Sequence, residues 1–398
     1  MQQPDLPPLR LKRGEDRRIS AGRLWVFSNE VDVARSPLQD FQPGQMCRVL
    51  SDRDKFLGYA YVNPHSLICA RILGRDPAFP PGRSLIVHRL QVAQALRRKL
   101  YERPYYRLVH GESDGLPGLV LDRYGEVIVG QIATVGMEAL RDDVEAAVRK
   151  VVSPAAMLWK NDGAARDLEN LPHYEATAFG ETPAVLTVEE GGLRFEAPAS
   201  GGQKTGWFFD QSANRLALRK YTAGARVLDV FSYLGAWGLG ALGGGAREAV
   251  CVDSSASALQ WLEGNAAANA LKPEIMHGDG FDVLEALHEQ RRRFDVVVID
   301  PPAFIKRKKD VPKGEAAYRR LNQLAMQLIG RDGFLISCSC SFHLSPDSLL
   351  GAIQRAARHL DRFAQVVATG GQGPDHPIHP AMPETRYLKA YFVRVTNA

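Results

Sequence analysis

The chain has 398 residues, with 45% hydrophobic and 24% charged residues, which is ordinary for a globular protein of two or three domains and excludes a disordered or fibrous class. It contains no run of about 18 apolar residues, so no membrane span is expected, and its N-terminus lacks the layout of a secretory leader, so the cytoplasm is the expected location. The formal net charge is only +5, and the five cysteines are too few and too scattered for a disulfide framework or a zinc site, so no metal is expected.

Basic residues crowd the start of the chain, at Arg10, Lys12, Arg13, Arg17, Arg18 and Arg23. Short β-like runs follow at Met46–Leu50, Leu57–Val62 and Leu67–Ile72, divided by Gly, Asn, Pro and Asp. They predict a small β-rich module over residues 1–75, closed by the Pro-rich linker Asp76–Gly82. A helix is predicted at Leu85–Tyr101, then strands at Leu119–Asp122 and Val127–Ile132, a helix at Met137–Val151, and strands at Met157–Lys160 and Val185–Val188. This is a β-β-α-β-β pattern over residues 76–195.

From residue 196 to 398 strands alternate with helices, as a parallel sheet covered on both faces requires. Strands are predicted at Arg226–Val230, Ala249–Val252, Glu274–His277, Asp295–Ile299, Gly333–Ser337, Ala364–Ala368 and Leu388–Val395, with helices at Ser257–Asn269 and Ala316–Ile329. The first of these strands enters a glycine-bearing turn, Phe231-Ser232-Tyr233-Leu234-Gly235-Ala236-Trp237-Gly238. That turn is neither a dinucleotide fingerprint nor a phosphate-binding loop with its lysine. Carboxylates stand at or just beyond the ends of the first four strands: Asp229, Asp253, Asp279 and Asp300. One aspartate at a strand end is commonly a helix cap, but four in succession point to a ligand beyond the carboxyl ends of the sheet.

Two motifs carry the reaction. Asp300-Pro301-Pro302-Ala303-Phe304 follows the fourth strand, and Ser337-Cys338-Ser339-Cys340-Ser341 ends the fifth. The first alone resembles the Asp-Pro-Pro-Tyr type motif of enzymes that methylate exocyclic amines, a resemblance that implies a carboxylate or proline carbonyl accepting from the amine and an aromatic ring, here Phe304, stacking on the base. The pair fits methylation of a pyrimidine carbon. Cytosine C5 becomes nucleophilic only after a thiolate adds at C6, which calls for one nucleophilic cysteine and an acid group facing the ring. Cys340, in the more polar setting, is the expected nucleophile and Asp300 its partner, while Cys338 reads as a buried small residue and the alternative thiol. Lys306, Arg307 and Lys308 follow the first motif at once and suit a phosphate backbone.

The order of the strand-end acids resembles class I S-adenosylmethionine-dependent methyltransferases. That resemblance implies that Asp229, Phe231 and Gly235 cradle the amino-acid part of the cofactor, that Asp253 holds its ribose, that Asp279 meets its adenine, and that Asp300 borders the site. Nearly end to end, the chain is similar to the RlmI-type family of 23S ribosomal RNA cytosine-C5 methyltransferases, through Leu24–Glu30, Gly115–Asp122, Lys204–Gln211, Asp300–Phe304, Ser339–Ser341 and Tyr387–Lys389. The resemblance implies an N-terminal RNA-binding PUA β-barrel, which gives the N-terminal basic cluster a purpose, a central β-β-α-β-β domain and a C-terminal Rossmann-like α/β sheet. It further implies S-adenosyl-L-methionine as cofactor, 23S rRNA or a large-subunit precursor as partner, and room for a homodimer. It places Lys204, Asp210 and Gln211 near the cofactor and substrate, and Pro301, Phe304 and the basic loop against RNA. Where many RNA cytosine-C5 methyltransferases carry a second cysteine after the Asp-Pro motif, this chain has Ala303. Arg215 reads as a helix-surface residue, and His376, His379 and Arg386 as structural.

Overall fold

A computed structural model describes residues 6–202 and 205–398 of the chain. By internal contacts these fall into two units. One takes in the chain up to Leu186, Pro198–Trp207 and Asp375–Thr385, and the other Thr187–Ala197, Phe208–Pro374 and Arg386–Ala398.

The first unit opens with five strands, β1 (Pro8–Arg10), β2 (Trp25–Phe27), β3 (Met46–Leu50), β4 (Phe56–Val62) and β5 (Ile68–Gly74), with the short helix α1 (Asp16–Ser20) after β1. Their order is β1-β3-β4-β5-β2. An isolated bridge between Leu11, just past β1, and Val31, beyond β2, brings the chain after the two outer strands together, and the sheet curls around Leu9, Val26, Val49, Ala60 and Ile72.

Helix α2 (Arg83–Leu100) leads to a second sheet of β6 (Tyr105–His110), β7 (Leu119–Tyr124), β8 (Val127–Ile132), β9 (Ala156–Asn161) and β10 (Tyr174–Phe179), in the order β10-β9-β8-β7-β6. Only β8 and β9 run parallel in it. A parallel pair needs a crossover, and α3 (Val135–Ala139) and α4 (Arg141–Val151) supply it. The β-β-α-β-β pattern is therefore present as β7, β8, the helices, β9 and β10, with β6 added at the edge. Its last strand is Tyr174–Phe179, not Val185–Val188: the latter lies in β11 (Val185–Glu190), which pairs with β12 (Leu193–Pro198) in a separate two-stranded sheet.

The second unit is built on β13 (Arg226–Val230), β14 (Glu248–Asp253), β15 (Glu274–His277), β16 (Phe294–Ile299), β17 (Ile329–Ser339), β18 (Arg362–Gly370) and β19 (Lys389–Asn397). They form one sheet in the order β15-β14-β13-β16-β17-β19-β18. The first five are parallel, and β19 is inserted antiparallel between β17 and β18. Helices α5 (Ser212–Leu218), α6 (Ala236–Gly243), α7 (Ala256–Ala268), α8 (Gly280–Glu289), α9 (Val311–Gln327) and α10 (Pro346–His359) complete the unit. The central strands are apolar without interruption, Val296–Ile299 being fully buried, because both faces of a parallel sheet are covered. The strand order reverses between β13 and β16, the place where open α/β sheets bind their ligands, beyond the carboxyl ends of the strands. Among the described residues no helix is long and apolar enough to cross a membrane.

Candidate active site

Beyond β13 the chain makes a strained turn. Phe231 and Tyr233 take positive φ angles of 70° and 51°, and Gly235 follows at 85° before α6 begins. Residues other than glycine hold such angles only where the surroundings fix them. Here the fixing is visible. Ser232 Oγ donates to the Asp229 carbonyl at 2.8 Å and accepts the Val252 N–H at 2.8 Å, and Asp253 accepts the Tyr233 N–H at 2.8 Å. The Asp229 carboxylate points inward and accepts the Gly238 N–H at 2.9 Å. Burial pushes its acid up to about 7 against the opposing pull of that hydrogen bond.

Asp253, half-buried at the end of β14, accepts a second N–H from Ser255 at 2.8 Å, so each oxygen keeps a lone pair. Asp279 caps α8, accepting the Phe281 N–H at 2.8 Å, and is exposed. Next to it, a Cβ on Gly280 would come within 2.7 Å of the Phe231 ring, so that ring lies directly over the start of α8. These features fit a nucleoside: acceptors at β14 for a diol, an acceptor at α8 for an amine, and an aromatic edge between them.

Asp300 follows β16. It accepts Gln211 Nε2 at 2.8 Å on one oxygen and Trp237 Nε1 at 3.0 Å on the other. Burial raises its acid to about 6; the Trp237 bond works against that and the neighbouring Asp210 with it. Gln211 is itself held, accepting Asn214 Nδ2 at 2.7 Å. Ile299 pairs with Ser337 across β16 and β17, which brings Asp300 level with Cys338 and the strand end beyond it.

The two thiols of β17 differ. Cys338 is fully buried, and burial first, then the Asp300 charge, pushes its thiol well above the usual range. Cys340 lies just past the strand and is partly accessible. On either side of it Ser339 Oγ and Ser341 Oγ bond the Tyr318 hydroxyl at 2.8 and 3.0 Å, and the Ile305 N–H donates to Ser341 Oγ at 3.3 Å. These bonds tie the cysteine loop to the loop after Asp300. Pro301 is buried, Phe304 is half-buried against Tyr318 with ring centroids 4.9 Å apart, and Lys306, Arg307 and Lys308 are exposed.

The structure thus gathers Phe231, Gly235, Asp253, Asp279, Asp300, Phe304 and Cys340 around the strand ends, with Asp229 beneath them. Lys204 lies outside the described residues. Arg215 is not on a helix surface: it is buried and holds Glu190 through two bonds of 2.5 and 2.6 Å, because α5 packs against the β11–β12 hairpin. Sequence reasoning assigned no role to Trp237, Tyr318 or Lys389. A lysine inside the apolar run Leu388-Lys389-Ala390-Tyr391-Phe392 was a legible signal, whereas Tyr318 on its helix gave none. Among the described residues no group of His, Cys, Asp and Glu is placed to hold a metal ion.

Residues 9–75 match the PUA-like domain family, and residues 174–389 match the S-adenosylmethionine-dependent methyltransferase family. Curated proteins named ribosomal RNA large subunit methyltransferase I are similar over the whole length. The one from Salmonella arizonae is 34% identical over 98% of both chains, and the one from Klebsiella pneumoniae subsp. pneumoniae is also 34% identical over 98% of both. Among solved structures, a SAM-dependent methyltransferase from Streptococcus mutans has a TM-score of 0.82 at 20% identity, covering 98% of this chain and 100% of that one. A methyltransferase solved in complex with SAH has a TM-score of 0.84, also at 20% identity and the same coverage.

Proposed function

We propose that the chain, which belongs to the S-adenosylmethionine-dependent methyltransferase family and is similar end to end to the ribosomal RNA large subunit methyltransferase I proteins, methylates C5 of a cytosine in 23S rRNA, in the cytoplasm. Bound at the site, S-adenosylmethionine supplies an electrophilic methyl group on a sulfonium sulfur. Asp253 accepts the ribose diol, and Asp279 and Phe231 frame the adenine. Asp229 acts from beneath, holding through Gly238 the turn that approaches the cofactor.

Cys340, as thiolate, adds to C6 of the cytosine, and the S–C6 bond leaves C5 electron-rich enough to take the methyl group. Asp300, fixed by Gln211 and Trp237, faces the ring and hydrogen-bonds N3 or the amine as charge develops there. Loss of the C5 proton to solvent then forms the C5–C6 double bond, breaks the S–C6 bond and returns Cys340 as thiolate. Pro301 and Phe304 wall the base, and Lys306, Arg307 and Lys308 meet the phosphates around it.

The observation that carries this reading is the pairing of a partly accessible Cys340 with Asp300 at neighbouring strand ends, in a loop tied together through Tyr318. Methylation of an exocyclic amine would need no thiol there. The test is covalent trapping with S-adenosylmethionine and large-subunit rRNA containing 5-fluorocytosine, whose fluorine cannot leave as a proton. We expect a denaturation-resistant adduct mapped by mass spectrometry to Cys340. Methyl transfer to ordinary rRNA without any adduct would overturn carbon-5 chemistry in favour of the amine, and an adduct at Cys338 would reassign the nucleophile.

A further inference from the structure

Lys389 is the first residue of β19 and only 7% exposed. Lysine is almost never buried without a partner of opposite charge, because stripping water from an ammonium is costly. Its ammonium donates to the Ser341 carbonyl at 2.6 Å and to the Tyr387 carbonyl at 2.8 Å. Both acceptors are neutral, and among the described residues no carboxylate forms an ion pair with it. Burial lowers its acid to about 8; of the charges acting on it, that of Cys340 opposes the shift and that of Arg386 adds to it.

The placement is specific. Lys389 sits opposite Ser339 in the β17–β19 register, and its head reaches past the strand end to the residue that follows Cys340. One N–H of the ammonium is left over after the two carbonyl bonds. The buried cation therefore stands beside a thiol, and that thiol is the acidic group whose ionisation would neutralise it.

We propose that Lys389 is the positioning residue that makes Cys340 a nucleophile: its ammonium is the counter-ion of the Cys340 thiolate. This rests on the reading of Cys340 as the attacking thiol. The S–H bond breaks, the proton leaves to solvent, and the thiolate stays paired with the ammonium until it adds to C6. When the sulfur is expelled at the end of the cycle the pair re-forms. Among the described residues, the titratable groups that act on this pair include Tyr318 and Cys338 beside Cys340, and Arg386 beside Lys389. The two beside Cys340 carry no positive charge, and burial keeps both in their neutral forms.

The test is the pH profile of Cys340 alkylation by iodoacetamide, followed by peptide mass spectrometry on the full chain without RNA or cofactor. In Lys389→Met the midpoint should move up by about two pH units, with alkylation at pH 7 about tenfold slower once the greater intrinsic reactivity of the less acidic thiol is allowed for. Lys389→Arg should restore the wild-type midpoint. A folded Lys389→Met protein with an unmoved midpoint would overturn the assignment. Should that variant not fold, thiolate absorbance at 240 nm in the wild type decides: a titration step below pH 8 that disappears in Cys340→Ser supports the pair, and no such step refutes it. The profile is independent of the rRNA reaction. An unmoved midpoint with an intact 5-fluorocytosine adduct condemns only the role of Lys389, and a moved midpoint with no adduct condemns only the carbon-5 reading.

Discussion

Asp300 is a carboxylate that the fold keeps at some expense. Its two hydrogen bonds, from Gln211 and Trp237, do not offset its loss of water, and its acid is raised to about 6. The consequence for stability has a definite sign. With the folded value above the unfolded one, the native state binds more protons across the interval between them, so the contribution of Asp300 is full at low pH and is lost as pH rises through 6. Comparing wild type with Asp300→Ala by denaturant unfolding, we expect the wild-type advantage to shrink by about 1 kcal/mol between pH 5 and pH 7.5. Asp229 also titrates in this range, at about 7, but it is present in both proteins and largely cancels. A difference that stays flat with pH would mean that Asp300 is not desolvated. The aspartate itself was legible in the sequence, as the last of four acids at strand ends. Its two donors were not equally so: Gln211 lay in a recognised segment, while Trp237 was one more residue of the glycine turn.

At the scale of elements, the turn between β13 and α6 depends on the absence of a side chain at Gly238. A Cβ there would come within 2.3 Å of Cys251 Sγ and 3.2 Å of an Asp229 carboxylate oxygen. Gly238→Ala should therefore destabilise the second unit by about 1–3 kcal/mol through overpacking and weaken S-adenosylmethionine binding, read by denaturant unfolding and calorimetric titration. Cys251→Ala removes the atom in conflict, so the double variant should recover much of that loss, a coupling that two independent effects would not show. Strictly additive losses would refute the packing account. The same contrast between local pattern and tertiary contact decides which elements could be read in advance. The parallel strands could, because burial on both faces writes them as unbroken apolar runs. Met137–Val151 has the periodicity of one helix, yet it breaks at Leu140 into α3 and α4, and the Tyr61 ring packs so tightly on Gly136 that a Cβ there would lie 2.0 Å from it. Tyr174–Phe179 escaped notice because Glu175, Ala176 and Thr177 are exposed and leave no apolar period. Nothing local marks Asp375–Thr385 as part of the first unit, where Asp375 accepts the Arg107 N–H and its carbonyl accepts Arg97.

Over the whole molecule, a net charge of +5 says little about where a polyanion binds, since much of the positive charge is spent internally. The two basic clusters of the sequence illustrate this. In the N-terminal one, Arg10 is paired with Asp54, Arg18 with Glu30 and Arg23 with Glu384, and Lys12 donates to the Asn29 carbonyl. These four serve the first unit's own architecture, while Arg13 and Arg17 of the same cluster are exposed. In the loop after Phe304, Lys306, Arg307, Lys308 and Lys309 are exposed, and among the described residues none forms an ion pair. A phosphate backbone responds to uncompensated cations, and each one it engages displaces counterions. The double variant Lys306→Ala/Lys308→Ala should therefore weaken binding of an rRNA fragment and lower the slope of log affinity against log salt by about 1–2, at about 0.7–0.9 per lost phosphate contact. Arg10→Ala/Arg18→Ala should instead leave that slope nearly unchanged while lowering the unfolding midpoint, because its arginines hold carboxylates and not RNA. The reverse pattern, with the slope set by the N-terminal pair, would assign RNA contact to the first unit's arginines and leave the loop beside Asp300 a solvated surface.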